Sequence, residues 1–136
     1  MWIRENAAEY FQPGSHGTTF GGTPLACAAA LTVLHVIDQE RLLEKVTANS
    51  GPWLEELRKL ATDFPRHLVG VHGKGYMIGL QMAGDPAPYQ LAMREAGLLA
   101  PTSGGQGIRL LPPLIATGAE LGRSVEIIRG VLQARS

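Results

Sequence analysis

A small α+β domain is the fold class this sequence predicts, and three observations predict it. Helical apolar spacing covers most of the stretch from about residue 24 to 64, short apolar runs bounded by glycine appear after residue 67, and an amphipathic segment closes the chain. The resulting order is helix, helix, short strands, helix, strands, helix, which suits helices packed on a short β-sheet.

The elements follow in turn. Thr23-Pro24 opens a helix: threonine is a favoured N-cap, and proline at the first helical position loses no hydrogen bond. From Leu25 to Ile37 the only clearly polar side chains are Thr32 and His35, so this helix is expected to be buried on all sides or covered by a partner. Asp38 reads as the cap of a second helix, with the stripe Leu43, Val46, Trp53, Leu57, Leu60, Phe64 on its buried face. Gly51-Pro52 predicts a kink or break, then a fresh start at Trp53. Leu68–Val71 and Tyr76–Leu80 read as strands joined by Gly73-Lys74-Gly75. A helix over Pro86–Glu95 ends at Gly97 as its C′ residue. Leu98–Ala100 and Ile108–Leu111 read as further strands, the latter stopped by Pro112-Pro113. Glu120–Gln133 forms the last helix, with Leu121, Val125, Ile128 and Leu132 on one face.

Composition narrows the function classes. A length of 136 residues with 45% hydrophobic content supports one domain, and 6% aromatics predict a core of Leu, Val, Ile and Ala. Twelve basic residues balance twelve acidic ones, which argues against a nucleic-acid or anionic-membrane partner. Cys27 is the only cysteine, so no internal disulfide forms and a reducing compartment is expected. The opening MWIRENAAEYF lacks the apolar region of a signal peptide, and the apolar run around 24–37 is too short to span a bilayer. A cytoplasmic protein is the expectation.

Two places carry candidate chemistry. In His16-Gly17-Thr18-Thr19-Phe20-Gly21-Gly22, glycines let backbone N–H groups approach an anion, threonine hydroxyls can donate to phosphate oxygens, and a helix N-terminus follows. No Gly-Lys-Ser/Thr is present and no strand precedes, so this is neither a Walker loop nor a dinucleotide fingerprint. By composition, a plain structural loop and a phosphate-binding loop both stay open. Arg109, in Ile108-Arg-Leu-Leu, points away from its apolar neighbours if the segment is a strand, and a solvent-facing role is the plain alternative. His67 and His72 have no Cys or carboxylate cluster for a metal, His16 suits a structural hydrogen bond, and Cys27 suits an inert apolar site.

Three motifs carry a resemblance. HGTTFGGTPLACAAALTVL resembles the HG(S/T)T(F/Y)GGNPLA segment of class III pyridoxal-phosphate aminotransferases of the acetylornithine and ornithine type. VHGKGYMIGLQM is similar to that family's VRGKGLMIGIEL, and GLLAPTSGGQGIRLLPPLIAT to its GLL-N-RLLPPLIIT segment. The motifs occur in family order and cover essentially the whole chain. Thr23 stands where the family usually has asparagine, and Gly51-Pro52 falls in a usually continuous helix.

The resemblance implies a fold type I transferase, with residues 1–37 ending the large domain and 38–136 forming the small C-terminal domain. It implies pyridoxal phosphate as cofactor, held in a full-length homodimer. There Thr19, with Thr18 beside it, reaches the cofactor phosphate of the neighbouring subunit, and Arg109 meets a glutamate or a substrate carboxylate. The implied reaction moves an amino group from N-acetylornithine, or a related ω-amino donor, to 2-oxoglutarate. The family's Schiff-base lysine lies upstream of the HGTT loop, and none of Lys45, Lys59 and Lys74 matches it, so no catalytic residue is expected here and the isolated chain is expected to be inactive. The implied partners are a second subunit, a large domain, and small amino and keto acids, with neither nucleic acid nor membrane. Two rival readings are a free-standing binding or assembly module derived from the family, and a chain with no function of its own.

Overall fold

The computed structural model describes residues 4–11, 14 and 17–135. The chain divides into two compact units, residues 1–39 and 40–136.

The second unit is built in the order α3 (Leu42–Asp63), β1 (Leu68–Lys74), β2 (Met77–Met82), α4 (Ala87–Glu95), β3 (Thr102–Ser103), β4 (Gly107–Leu110) and α5 (Gly118–Gln133). Its strands form one antiparallel sheet in the order β1-β2-β4-β3, so the architecture is the expected α+β type. The core gathers Trp53, Leu57 and Leu60 from α3 with Leu68, Ile78, Leu80, Met82, Ile108 and Leu110 from the sheet. Leu121, Val125, Ile128 and Leu132 of α5 complete it, which is the face that helical spacing predicts. Each such side chain contributes about 1.5–3 kcal/mol by leaving water.

Several expectations need correction. Helix α3 runs unbroken through Pro52. Trp53, Leu57 and Leu60 all bury on one side of it, and that packing outweighs the lost hydrogen bond and ring clash, about 3 kcal/mol. Leu42, not Leu43, is the buried residue of its first turn. Asp38 caps nothing: the preceding helix continues to Gln39, and the chain breaks at Arg41, whose φ of 50° is left-handed. Strand β1 extends to Lys74, leaving Gly75 (φ 58°) and Tyr76 to make the turn. Leu98–Ala100 is not a strand. Gly97 (φ 92°) ends α4, and the Leu98 N–H donates back to the Met93 carbonyl at 2.8 Å while Gly97 N–H donates to Arg94 at 3.0 Å. That helix cap uses the donor a strand would need, and pairing with β4 begins only at Thr102.

Helix α5 starts earlier than its apolar stripe suggests. Thr117 is its N-cap in a capping box: its hydroxyl oxygen accepts from Glu120 N–H, and the Glu120 carboxylate accepts from Thr117 N–H at 2.7 Å. The Thr117 backbone N–H, and then its hydroxyl, hold the Glu120 carboxyl below its ordinary value of 4.5.

The first unit contains α1 (Glu5–Ala8) and α2 (Pro24–Gln39). Thr23 caps α2 as predicted: Thr23 Oγ1 accepts from Ala26 N–H at 3.3 Å, and the Thr23 carbonyl accepts from Cys27 N–H at 2.9 Å. None of α2 is buried. Leu25 is 82% exposed, Leu31 67% and Leu34 64%, so burial on all sides, the first of the two expectations for this helix, is not found among the described residues. No helix among the described residues is long and apolar enough to cross a membrane.

Candidate functional site

The loop ahead of α2 is braced by hydroxyls. Gly21 N–H donates to Thr18 Oγ1 at 3.1 Å, and Thr23 Oγ1 donates to the Phe20 carbonyl at 3.2 Å. A side chain at Gly21 would collide with the Thr18 methyl, and Gly22 has φ 79°, where a side chain is strained. Thr18 accepts in this turn and keeps its own O–H proton to donate. The Thr19 hydroxyl has no partner among the described residues, and both threonines are exposed. His16 lies outside the described residues.

The donor set is of the kind a phosphate accepts: Thr18 and Thr19 carry hydroxyls on successive residues of a loop braced by Thr18 and Thr23, ahead of α2. The fit is also incomplete. No Lys or Arg occurs from Gly14 to Gln39, so the loop offers only neutral donors, and the balancing charge has to come from elsewhere.

Arg109 belongs to the second unit. It sits on β4 opposite Gly79 of β2, between the buried Ile108 and Leu110, and its backbone N–H donates to the Pro101 carbonyl at 2.9 Å. Strand alternation turns its side chain to the exposed face of the sheet, as predicted. There it shares a shallow depression with His72, Gly79, Gln81, Ser103 and Gly107. His72 Nε2 lies 3.2 Å from Gln81 Oε1. Strands β1, β2 and β4 carry no acidic residue, and neither Arg109 nor Lys74 has an ion pair among the described residues.

Other candidates resolve into structural roles. His67 Nδ1 lies 2.7 Å from the Tyr89 hydroxyl, and the Arg135 guanidinium stacks 5.1 Å from the centre of the Tyr89 ring. Cys27 is exposed on α2 rather than packed. Lys45 lies 4.0 Å from Glu40, Lys59 pairs with Glu56, and Lys74 ends β1. Sequence reasoning passed over Gln81, whose bond to His72 needs the β1–β2 register to be seen.

Comparison with known proteins gives these sites a context. The family description "Aminotransferase class-III" matches residues 1–132. The mitochondrial acetylornithine aminotransferase of Neurospora crassa is 38% identical over 97% of this chain and 29% of its own length. The acetylornithine aminotransferase of Elizabethkingia anophelis superposes with a TM-score of 0.81 at 35% identity, over 95% of this chain and 33% of that one. An ornithine aminotransferase from Toxoplasma gondii, described with partial occupancy of PLP at its active site, superposes with a TM-score of 0.79 at 30% identity, over 93% of this chain and 31% of that one. The chain thus spans about a third of the length of these relatives. Pyridoxal phosphate is the cofactor this likeness implies. With the match running over residues 1–132, the chain belongs to the class III aminotransferases.

Proposed function

We propose that this chain serves as the C-terminal part of an aminotransferase that moves an amino group from N-acetylornithine, or a related ω-amino donor, to 2-oxoglutarate. On this reading, residues 1–37 complete a large domain and residues 38–136 are the small domain. The observation that carries the reading is the loop: Thr19 presents a hydroxyl with no partner among the described residues, on a turn braced by Thr18 and Thr23. Pyridoxal phosphate, when bound, supplies the electron sink that the reaction needs. Thr19 and Thr18 donate to its phosphate oxygens across a homodimer interface, and the cation that the loop lacks comes from the opposite subunit. Arg109 binds a substrate carboxylate with its guanidinium fork. Its exposure at a sheet face free of carboxylates supports that role. The lysine that bonds the cofactor is supplied by the large domain, so the chain by itself does not transaminate.

The test is a hybrid enzyme in which this chain replaces the matching third of the Elizabethkingia enzyme. Thr19→Val keeps the shape and deletes the donor. It should weaken pyridoxal-phosphate affinity about ten- to a hundred-fold, as expected for a hydrogen bond of roughly 1.5–3 kcal/mol to a charged group. Thr18→Val should cost less, because part of its hydroxyl's role is to accept from Gly21 N–H. Cofactor should also tighten the dimer in sedimentation, by reciprocity of linked equilibria. Equal cofactor affinity in wild type and both variants would return the loop to a structural role. Arg109→Ala should impair keto-acid recognition while leaving cofactor retention intact; the reverse pattern would overturn its assignment.

A further inference from the structure

Gln81 is placed to act with Arg109. On the exposed face of the sheet, Gln81 pairs with Gly107 and Gly79 with Arg109. Gln81 and Arg109 are therefore diagonal neighbours on adjacent strands, roughly 7–8 Å apart at the backbone, a span within reach of long side chains. Between them the floor is glycine. A Cβ at Gly79 would meet only the His72 carbonyl oxygen, at 3.9 Å, so that position opens onto solvent.

The Gln81 amide is oriented. Its Oε1 can only accept, so the 3.2 Å contact makes His72 Nε2 the donor and leaves the Gln81 –NH2 turned to other partners. Gly70 makes room for this bond, because a Cβ there would lie 2.9 Å from His72 Nε2 and 3.2 Å from Gln81 Oε1. The motif that VHGKGYMIGLQM resembles, VRGKGLMIGIEL, has arginine in place of His72 and glutamate in place of Gln81. A glutamate in the Gln81 position would be an acceptor only and could itself pair with Arg109. Here His72 and Gln81 stand in place of the motif's arginine and glutamate, and the face keeps an amide donor on the strand next to an arginine that has no ion pair among the described residues.

We propose that Gln81, oriented by His72, is a second donor that binds the keto acid's carboxylate together with Arg109, and so sets the site's preference for carboxylate-bearing substrates. The proposal rests on the carboxylate role assigned to Arg109. Gln81 is a specificity-determining residue and His72 a positioning residue that acts through it.

Titration of the 136-residue chain with 2-oxoglutarate at constant ionic strength, followed by NMR, tests this. Saturable shifts are expected at both the Gln81 side-chain –NH2 and the Arg109 Nε–H. Gln81→Glu should weaken binding at least about tenfold, since it removes a donor and adds a like charge. It should leave the melting temperature unchanged, because the side chain is exposed. His72→Arg combined with Gln81→Glu should recover part of the loss, as the introduced guanidinium draws the new carboxylate away from Arg109. Shifts at Arg109 alone, with Gln81→Glu binding as wild type, would overturn the role of Gln81 and leave that of Arg109 standing. Shifts at neither group would overturn both.

Discussion

Residues 40–136 and residues 1–39 share one sequence style, rich in leucine, valine and alanine, yet they spend it differently. In the second unit the apolar side chains meet one another: Leu57, Leu60, Leu68, Ile78, Met93, Ile108, Ile128 and Leu132 are fully buried. In the first unit, helix α2 is just as apolar and buries nothing. An apolar helix left bare is the kind of surface that, in general, is covered by something else. The difference teaches that hydrophobicity in a sequence says a surface will be covered, and only the fold says by what.

Substitutions sharpen this contrast. Leu57→Ala should destabilise the chain by about 2–5 kcal/mol, because it opens a cavity in the core. Leu34→Ala, at 64% exposure, should change stability by less than about 0.5 kcal/mol. Urea melts followed at Trp53 would compare them, and similar losses from both would break the comparison. Pro52→Ala comes next. The helix around it is continuous, so the replacement should restore a backbone hydrogen bond and stabilise the unit by about 1–3 kcal/mol. A lower melting temperature would show that the ring itself is needed at that turn.

Thr117→Ala removes the α5 cap and should cost about 1 kcal/mol, read as a fall in melting temperature. The smallest effect is pH-dependent. Since the folded state lowers the Glu120 carboxyl below 4.5, its contribution is fully present above that value and fades as pH falls through the lowered one. The stability gap between wild type and Glu120→Gln should therefore be constant near neutrality and shrink only in acid. A gap that grows in acid would mean the capping carboxylate is not the ionised acceptor.

How much of this was legible in the residues depends on the range of the force involved. Local chemistry read well: Thr23-Pro24 opens α2 and Gly97 closes α4, since both act through their own backbone. The α5 stripe read well because all four of its residues face one core. Pro52 misled because its local cost is outweighed by side chains that meet the helix only after folding. Leu98–Ala100 looked like a strand, but the cap of α4 takes the Leu98 donor first. At the candidate site, Arg109 could be aimed by alternation alone. The His72–Gln81 bond could not, because it depends on pairing between two strands.

Amide hydrogen exchange tests the central claim most directly, comparing the 136-residue chain alone with the hybrid enzyme that carries it. Residues 40–136 should show the same slow core amides in both, since their core is internal to the unit. Residues 24–39 should exchange nearly as fast as a free peptide in the chain alone, because an unpacked helix of 16 residues is marginal in water, and slow markedly in the assembled enzyme. Equal protection of 24–39 in both samples would contradict the account, for it would mean that this helix needs no partner.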